Sequence, residues 1–423
     1  MMITLVVPWY GPDTRGGAES QARNLAAALQ RIGKPVRVWS STGRDSFAPA
    51  APGMAPGSAP HYPPGEALLD GLPVRRFPAG PADADGLSTF LRRHPELWPP
   101  DYRRRFAEHE RRLLGTLLGS DELYAAILAQ RDSSRFLFLP YPFPTSFWGA
   151  AIAGSNAFLL PCLHDEPYAR YETYRYLFRR VRGLLANSPA EAALACRLYD
   201  LPAEKVCVAG EGIDRQARGE PARFYAYLAE RFPQLRAESP APNLLVYAGR
   251  RDATKNLPLL LAYLREYRAS RGHALRLIML GQGEPQLPWT DFDFGIGPRP
   301  AWPGDPLLDL GFVPEQVKHD AYAAADLFVQ PSTQESFSIV LMEAWLQGTP
   351  ALVHADCAVT ADHARRSGGG LAFADFGEFA AALDLLLPNP ALRRRLGERG
   401  QAYVLETCDW EVVARRSAAF LGL

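Results

Sequence analysis

Two glutamates separated by seven residues, Glu335 and Glu343, flank a change of local pattern. An apolar run, Asp326-Leu327-Phe328-Val329, stops at Pro331-Ser332-Thr333, and a helical pattern runs from Ser338 to Gly348-Thr349-Pro350, a glycine-then-proline stop. The segment therefore reads as strand, short polar loop and helix. Ser338 stands where an N-cap belongs, its hydroxyl able to accept from a free N–H of the first turn. A helix N-terminus behind small residues offers uncommitted N–H groups and a positive dipole end, which suits a phosphate. Glu343 is then placed to reach ribose hydroxyls and Glu335 a sugar. The plain alternative is a solvated helix residue and a loop charge, and the stretch alone does not separate the two.

Arg250 and Lys255 share one loop after the apolar run Leu244–Ala248. Arginine meets a diphosphate with paired N–H donors and lysine as a point charge; taken singly, each is an ordinary surface cation. His164 follows a third apolar run, Ala157–Leu160, and so falls at a strand end. His164-Asp165-Glu166 is not a convincing metal set, because consecutive side chains point in different directions, and no metal is expected. Gly281-Gln282-Gly283 is only Gly-x-Gly, short of a dinucleotide fingerprint. Gly16-Gly17 lies in the first strand-to-helix loop, where backbone can approach a ligand closely, although a simple turn explains it equally well.

The elements that must hold these residues alternate. Ile3–Val7 reads as a buried strand, followed by a helix through Ala22, Leu25, Ala26 and Leu29, then the strand Val36–Trp39. That β-α-β opening argues for a parallel, doubly wound sheet. In such a sheet the strand-end loops gather on one edge, so one nucleotide-diphosphate pocket accounts for Arg250, Lys255, Glu335 and Glu343 together. Residues 47–67, rich in Pro, Ala and Gly, read as a flexible surface insertion. Arginines and aromatics between Phe90 and Leu118 are diluted by Glu96, Glu108 and Glu110, which favours a solvated helix face over a membrane surface. The Pro-rich stretch Glu238–Pro242 is the best domain boundary.

At 423 residues the chain is long enough for two domains. Lys+Arg and Asp+Glu both total 46, so net charge gives no reason to expect nucleic acid. Five scattered cysteines without a Cys-x-x-Cys pair fit packing in a reduced compartment. The expected location is cytoplasmic; peripheral contact with the inner face of a membrane stays open, without support from net charge.

Taken together, Gly16-Gly17-Ala18-Glu19, His164-Asp165, Gly249-Arg250 with Lys255, Gly281-Gln282-Gly283, Leu310-Gly311-Phe312-Val313 and the Glu335/Glu343 pair resemble the retaining, GT-B-fold glycosyltransferases of family 4. The resemblance implies two Rossmann-like doubly wound parallel-sheet domains facing a central cleft. The first, 1–240, would take the acceptor, the second, 241–405, the nucleotide sugar, and a helix over 406–423 would cross back to the first. It implies no cofactor beyond a nucleotide-diphosphate sugar as donor, UDP- or GDP-linked. Arg250 and Lys255 would bind its diphosphate, Glu343 the ribose and Glu335 the sugar hydroxyls. Ser336, Phe337, Ser338 and Ile339 would lie by the phosphates or sugar, and Phe312 and Val313 near the base. Gly16 and Gly17 would close over the phosphates, and His164 would face the anomeric region. The activity implied is retaining, metal-independent hexosyl transfer to a glycan, lipid-linked or small-molecule acceptor, in polysaccharide or glycoconjugate biosynthesis. Many members carry glycine where Ser336 and Ser338 stand, so the sugar is left open. Competing readings are a GT-B epimerase or phosphorylase, a degenerate GT-B scaffold acting as a binding partner, and a glycoside hydrolase using both glutamates, which leaves the basic loop unexplained.

Overall fold

The computed structural model describes residues 1–14, 16–46, 48–51, 54, 56–237, 242–251, 255–272, 274–281 and 307–423. Apolar β-branched and aromatic runs become two sheets, one in each of two units. The first unit comprises residues 1–212 with 410–423, the second 213–409.

In the first unit the strands are β1 (Met2–Val6), β2 (Val36–Ser41), β3 (Gly65–Leu69), β4 (Leu72–Phe77), β5 (Ser134–Phe138), β6 (Ala157–Leu159), β7 (Gly183–Ala186) and β8 (Val206–Val208), in the order β3-β4-β2-β1-β5-β6-β7-β8. All neighbours are parallel except β3 and β4. That hairpin turns at Asp70-Gly71, both at positive φ, the geometry an Asp-Gly turn supplies. Ile3, Leu5, Val36 and Val38 pack one face against Leu25 and Leu29 of the helix Gly17–Arg31. The helix Trp410–Phe420 joins the same core through Trp410, Val413, Ala414 and Ala418.

The second unit holds β9 (Asn243–Ala248), β10 (Leu275–Leu280), β11 (Leu307–Gly311), β12 (Leu327–Gln330), β13 (Ala351–His354) and β14 (Gly370–Phe373), all parallel, in the order β11-β10-β9-β12-β13-β14. The chain runs outward from β9 in one direction and from β12 in the other. β9 and β12 are therefore the switch point, where ligands bind in open α/β sheets. The corresponding switch in the first sheet lies between β1 and β5.

Two expectations need correcting. The boundary expected near 240 lies at 212, because 213–237 belongs with the second sheet. Phe224 and Leu228 of the helix Pro221–Arg231 enter the second unit's core, and Asp320 accepts from Arg223 and from Glu220 N at 2.7 Å. The Pro-rich stretch 238–241 lies outside the described residues. The insertion, for its part, is docked where it is described. Trp9 Nε1 donates to Gly57 O at 2.8 Å, and the amides of His61 and Tyr62 donate to Thr42 O at 2.8 and 2.9 Å. The Tyr62 ring lies against Gly11, where a Cβ would overlap it, and carries the Arg76 guanidinium 4.4 Å from its centroid. Contacts from Trp9, Gly11, Thr42 and Arg76, all outside the segment, hold it over the loop after β1, and local composition carries no trace of them.

The arginine-rich stretch is paired with acids. Asp85 accepts from Arg103 at 2.8 Å and Arg111 at 2.9 Å, and Glu172 accepts from Arg105 at 2.8 Å. Among the described residues no helix is long and apolar enough to cross a membrane.

Candidate active site

The loops after β9 and β12 meet at the second sheet's switch point. Lys255 Nζ lies 2.7 Å from Glu335 Oε1, with the two side chains 14% and 11% exposed. Asn256, at φ +52°, donates from Nδ2 to Pro331 O at 3.2 Å and ties the same loops together. Gln330, the last residue of β12, donates from Nε2 to the same Glu335 oxygen at 2.8 Å. The sequence reading passed over Gln330; its signal is a polar residue closing an otherwise apolar, fully buried strand.

Arg250 and Arg251 diverge. Arg250 is exposed, and its carbonyl accepts from the Tyr247 hydroxyl at 2.5 Å. Arg251 is buried, with both guanidinium nitrogens on the Asp309 carboxylate of β11. Arg251 is a structural cation, and Arg250 is the one whose exposure suits a ligand. Gly281 lies beneath this loop at φ +123°, against the Gly249 carbonyl. Gln282 and Gly283 lie outside the described residues.

Behind the loop, the helix Ile339–Leu346 is buried on nearly all sides, through Leu341, Met342, Ala344, Trp345 and Leu346. Gly397 and Gly400 of the helix Pro390–Thr407 let it approach closely, since a Cβ at Gly400 would strike the Trp345 ring. Trp345 Nε1 donates to Gly369 O at 2.9 Å. Burying side chains of this size stabilises by about 1.5–3 kcal/mol each, and that packing fixes the origin of the loop. Ser338 precedes the helix but its hydroxyl makes no capping bond. The backbone there is left-handed, φ +77° and ψ +77°, and the hydroxyl donates to Gln330 Oε1 at 2.8 Å. The cap expected from residue type is thus replaced by a bond back to the strand, and the Ser338 side chain does not cover the first-turn N–H groups.

Glu343 faces the helix Glu315–Ala324. Its Oε1 lies 3.0 Å from Lys318 Nζ and its Oε2 accepts from Tyr322 at 3.4 Å. Burial pulls the Lys318 ammonium toward deprotonation, but the carboxylates of Glu343 and Glu315 outweigh it and hold its pKa above the ordinary lysine range. Glu315, His319 and Glu343 bring ligand atoms within 4.8 Å of one another. Lys318 lies 2.7 Å from Glu315, so both carboxylates already have a cation. Lys318 also escaped the sequence reading, its one hint being its place one turn before Tyr322. Phe312 is 56% exposed and Val313 is buried in the core, so only Phe312 of this pair has an open ring face. Phe337 is buried edge-on to His363 at 5.3 Å; Ser336 and Ile339 are half-buried.

In the first unit, Gly16 sits at φ +141° as the N-cap of the helix Gly17–Arg31, and nothing lies within 4 Å of a Cβ built on Gly17. His164 follows β6, its Nδ1 3.1 Å from Glu166 Oε1. Burial would raise the Glu166 pKa, yet bonds from His164, Tyr168 and Tyr141 leave it lowered.

The His164 loop is anchored by Glu191, which accepts from Leu163 N and Asn187 N at 2.5 Å each. Burial outweighs these bonds and pushes its carboxyl from 4.5 up to about 8. A folded value above the unfolded one means stability is full below pH 4.5 and is lost as pH rises toward 8. The urea midpoint of the native protein is expected to fall between pH 5 and 8 relative to that of Glu191→Gln, which cannot ionise. Parallel pH dependences in the two proteins would show that Glu191 does not titrate in this window.

Residues 242–389 match the family model described as "Glycosyl transferases group 1". A D-inositol 3-phosphate glycosyltransferase of Nocardia farcinica is 28% identical over 59% of this chain and 55% of its own length. The enzyme of that name from Salinispora arenicola is 30% identical over 57% of this chain and 55% of its own. The chain thus spans about half the length of these relatives. Among solved structures, sucrose-phosphate synthase from Thermosynechococcus elongatus superposes with a TM-score of 0.67 at 16% identity, over 99% of this chain and 98% of the other. Anabaena Alr3699/HepE, solved with UDP-glucose, gives 0.66 at 17%, over 99% of both. WaaG, a glycosyltransferase involved in lipopolysaccharide biosynthesis, gives 0.64 at 14%, over 99% of both.

Proposed function

We propose that this chain, a GT-B protein with a group 1 glycosyltransferase domain in its second unit, transfers a hexosyl group from a UDP- or GDP-linked sugar with retention of configuration. The observation that carries the proposal is the Lys255–Glu335 pair at 2.7 Å, astride the switch point of the second sheet. A half-buried cation and a carboxylate presented together suit a ligand with an anionic half and a hydroxylated half. Arg250 and Lys255 take the diphosphate, with the N-terminus of Ile339–Leu346 and the backbone of Ser336 to Ile339 beside it. Glu335 takes sugar hydroxyls, Glu343 the ribose and Phe312 the base, with Val313 supporting Phe312 from the core. These cations stabilise the charge that builds on the departing diphosphate as the glycosidic bond breaks. The acceptor then attacks on the same face, and a donor phosphate oxygen takes its proton, so no metal is required. Gly16, Gly17 and His164 are assigned to phosphate closure and to the acceptor, a glycan, lipid-linked or small molecule. Work in the cytoplasm, in polysaccharide or glycoconjugate synthesis, accords with the neutral charge balance and with free cysteines. UDP-glucose in the Anabaena protein supports a nucleotide-sugar donor.

A thermal-shift panel of UDP, GDP, ADP and their glucose conjugates, without added metal, tests this. A ligand at a hundred times its Kd stabilises by about 2.7 kcal/mol, roughly 5–10 °C for a domain of this size. One base is expected to produce that shift, and Lys255→Ala or Arg250→Ala to lose most of it. No shift with any nucleotide would leave a degenerate scaffold as the better reading.

A further inference from the structure

The geometry points to Gln330 and Ser338 as positioning residues that aim the sugar-binding carboxylate and so help select the transferred sugar. The inference rests on the assignment of Glu335 to the sugar. Three side chains form a directed chain. The Ser338 hydroxyl donates to Gln330 Oε1 at 2.8 Å, and Gln330 Nε2 donates to Glu335 Oε1 at 2.8 Å, the oxygen that also meets Lys255 at 2.7 Å.

The direction follows from chemistry. An ionised carboxylate only accepts, so the amide must turn its nitrogen to Glu335. Its oxygen is then left toward Ser338, whose hydroxyl is free to donate. The carboxylate thus sets which way the amide faces, and the Ser338 hydroxyl holds the amide oxygen from the other side, so the amide is pinned at both ends.

Two further observations support a role. Gln330 and Ser338 are 2% and 6% exposed, and buried polar groups in a bonded chain hold one orientation. Ser338 also sits at φ +77°, where glycine would be unstrained. A side chain kept in an unfavourable backbone region at a binding loop directs attention to what that side chain does, and here its hydroxyl bonds Gln330, the partner of Glu335. The chain reaches the sugar half of the proposed site through Glu335 and the phosphate half only through Lys255, whose charge does not depend on the amide.

This asymmetry sets the test. Purified Gln330→Leu and Ser338→Gly are titrated with UDP and with UDP-glucose, or with the GDP or ADP counterparts if those stabilise the native protein. Donor consumption is followed with glucose, galactose and N-acetylglucosamine conjugates. Gln330→Leu is expected to bind the bare nucleotide within about twofold of native. It should bind the glucose conjugate about tenfold more weakly, the value of one hydrogen bond to a charged group, with altered relative rates among the three sugars. Ser338→Gly should move the same readouts in the same direction by less, with an equal or higher Tm because the left-handed backbone is relieved. Equal weakening for nucleotide and conjugate would mark a merely structural role and overturn the inference. So would unchanged affinity and sugar preference in both variants. Native protein that binds no nucleotide at all would instead bring down the donor assignment, and this inference with it.

Discussion

Glu335→Ala is expected to lower transfer by about a hundredfold to a thousandfold while leaving affinity for the free nucleoside diphosphate equal or higher. The two halves of that expectation have different origins. Glu335 Oε1 is met by Lys255 and by Gln330, and the side chain is only 11% exposed, so its place is fixed before any sugar arrives. Removing it loses a fixed acceptor for sugar hydroxyls, and that loss counts wherever the sugar must be held for its bond to break. Lys255, meanwhile, loses a competing anion. A buried cation without its partner is costly, and a diphosphate relieves that cost by binding. Lys255→Ala should therefore do the reverse, weakening nucleotide and nucleotide sugar alike. The measurement is calorimetric titration of both variants with nucleotide and conjugate, alongside initial rates. A Glu335→Ala protein that binds nucleotide tenfold more weakly would mean the carboxylate organises the phosphate site and not the sugar. Near-native transfer would remove Glu335 from the site altogether.

The arrangement behind this prediction was legible in the sequence wherever burial on both faces wrote a continuous apolar run. Leu244–Ala248 and Leu327–Val329 became β9 and β12, and parallel topology then placed the loops carrying Lys255 and Glu335 side by side. What escaped depended on partners distant in sequence or on side-chain direction. Arg250 and Arg251 are equivalent on paper; the carboxylate of Asp309, some sixty residues later, takes Arg251 into the core. Ser338 has the residue type of a capping serine, but its left-handed backbone turns the hydroxyl toward Gln330. The segment before β3 has no periodicity because Trp9, Gly11 and Arg76 hold it from outside. The β3–β4 hairpin is different, since Asp70-Gly71 was a local turn signal passed over amid the surrounding Pro and Gly.

The same loop-on-loop geometry makes Gly281→Ala a doubly unfavourable methyl in the second unit. Gly281 follows β10 at φ +123°, outside the regions an L-residue adopts, and a Cβ there would overlap the Gly249 carbonyl. Both effects oppose the substitution: backbone strain of about 1–3 kcal/mol and overpacking of about 1–3 kcal/mol. Neither can relax cheaply, because Gly249 N donates to Leu280 O at 3.1 Å and Gly281 N to Gly311 O at 2.8 Å. The control is Gly311→Ala, at φ +65° with nothing within 4 Å of the added methyl. It carries only the left-handed penalty, about 1–2 kcal/mol. At roughly 2–4 °C per kcal/mol, Gly281→Ala should melt several degrees below Gly311→Ala. Because the overlap pushes on the carbonyl just before Arg250, it should also weaken nucleotide binding, which Gly311→Ala should spare. Equal melting temperatures and equal nucleotide affinities in the two variants would mean the loop after β9 is free to move, and that Arg250 is not held in place by its backbone.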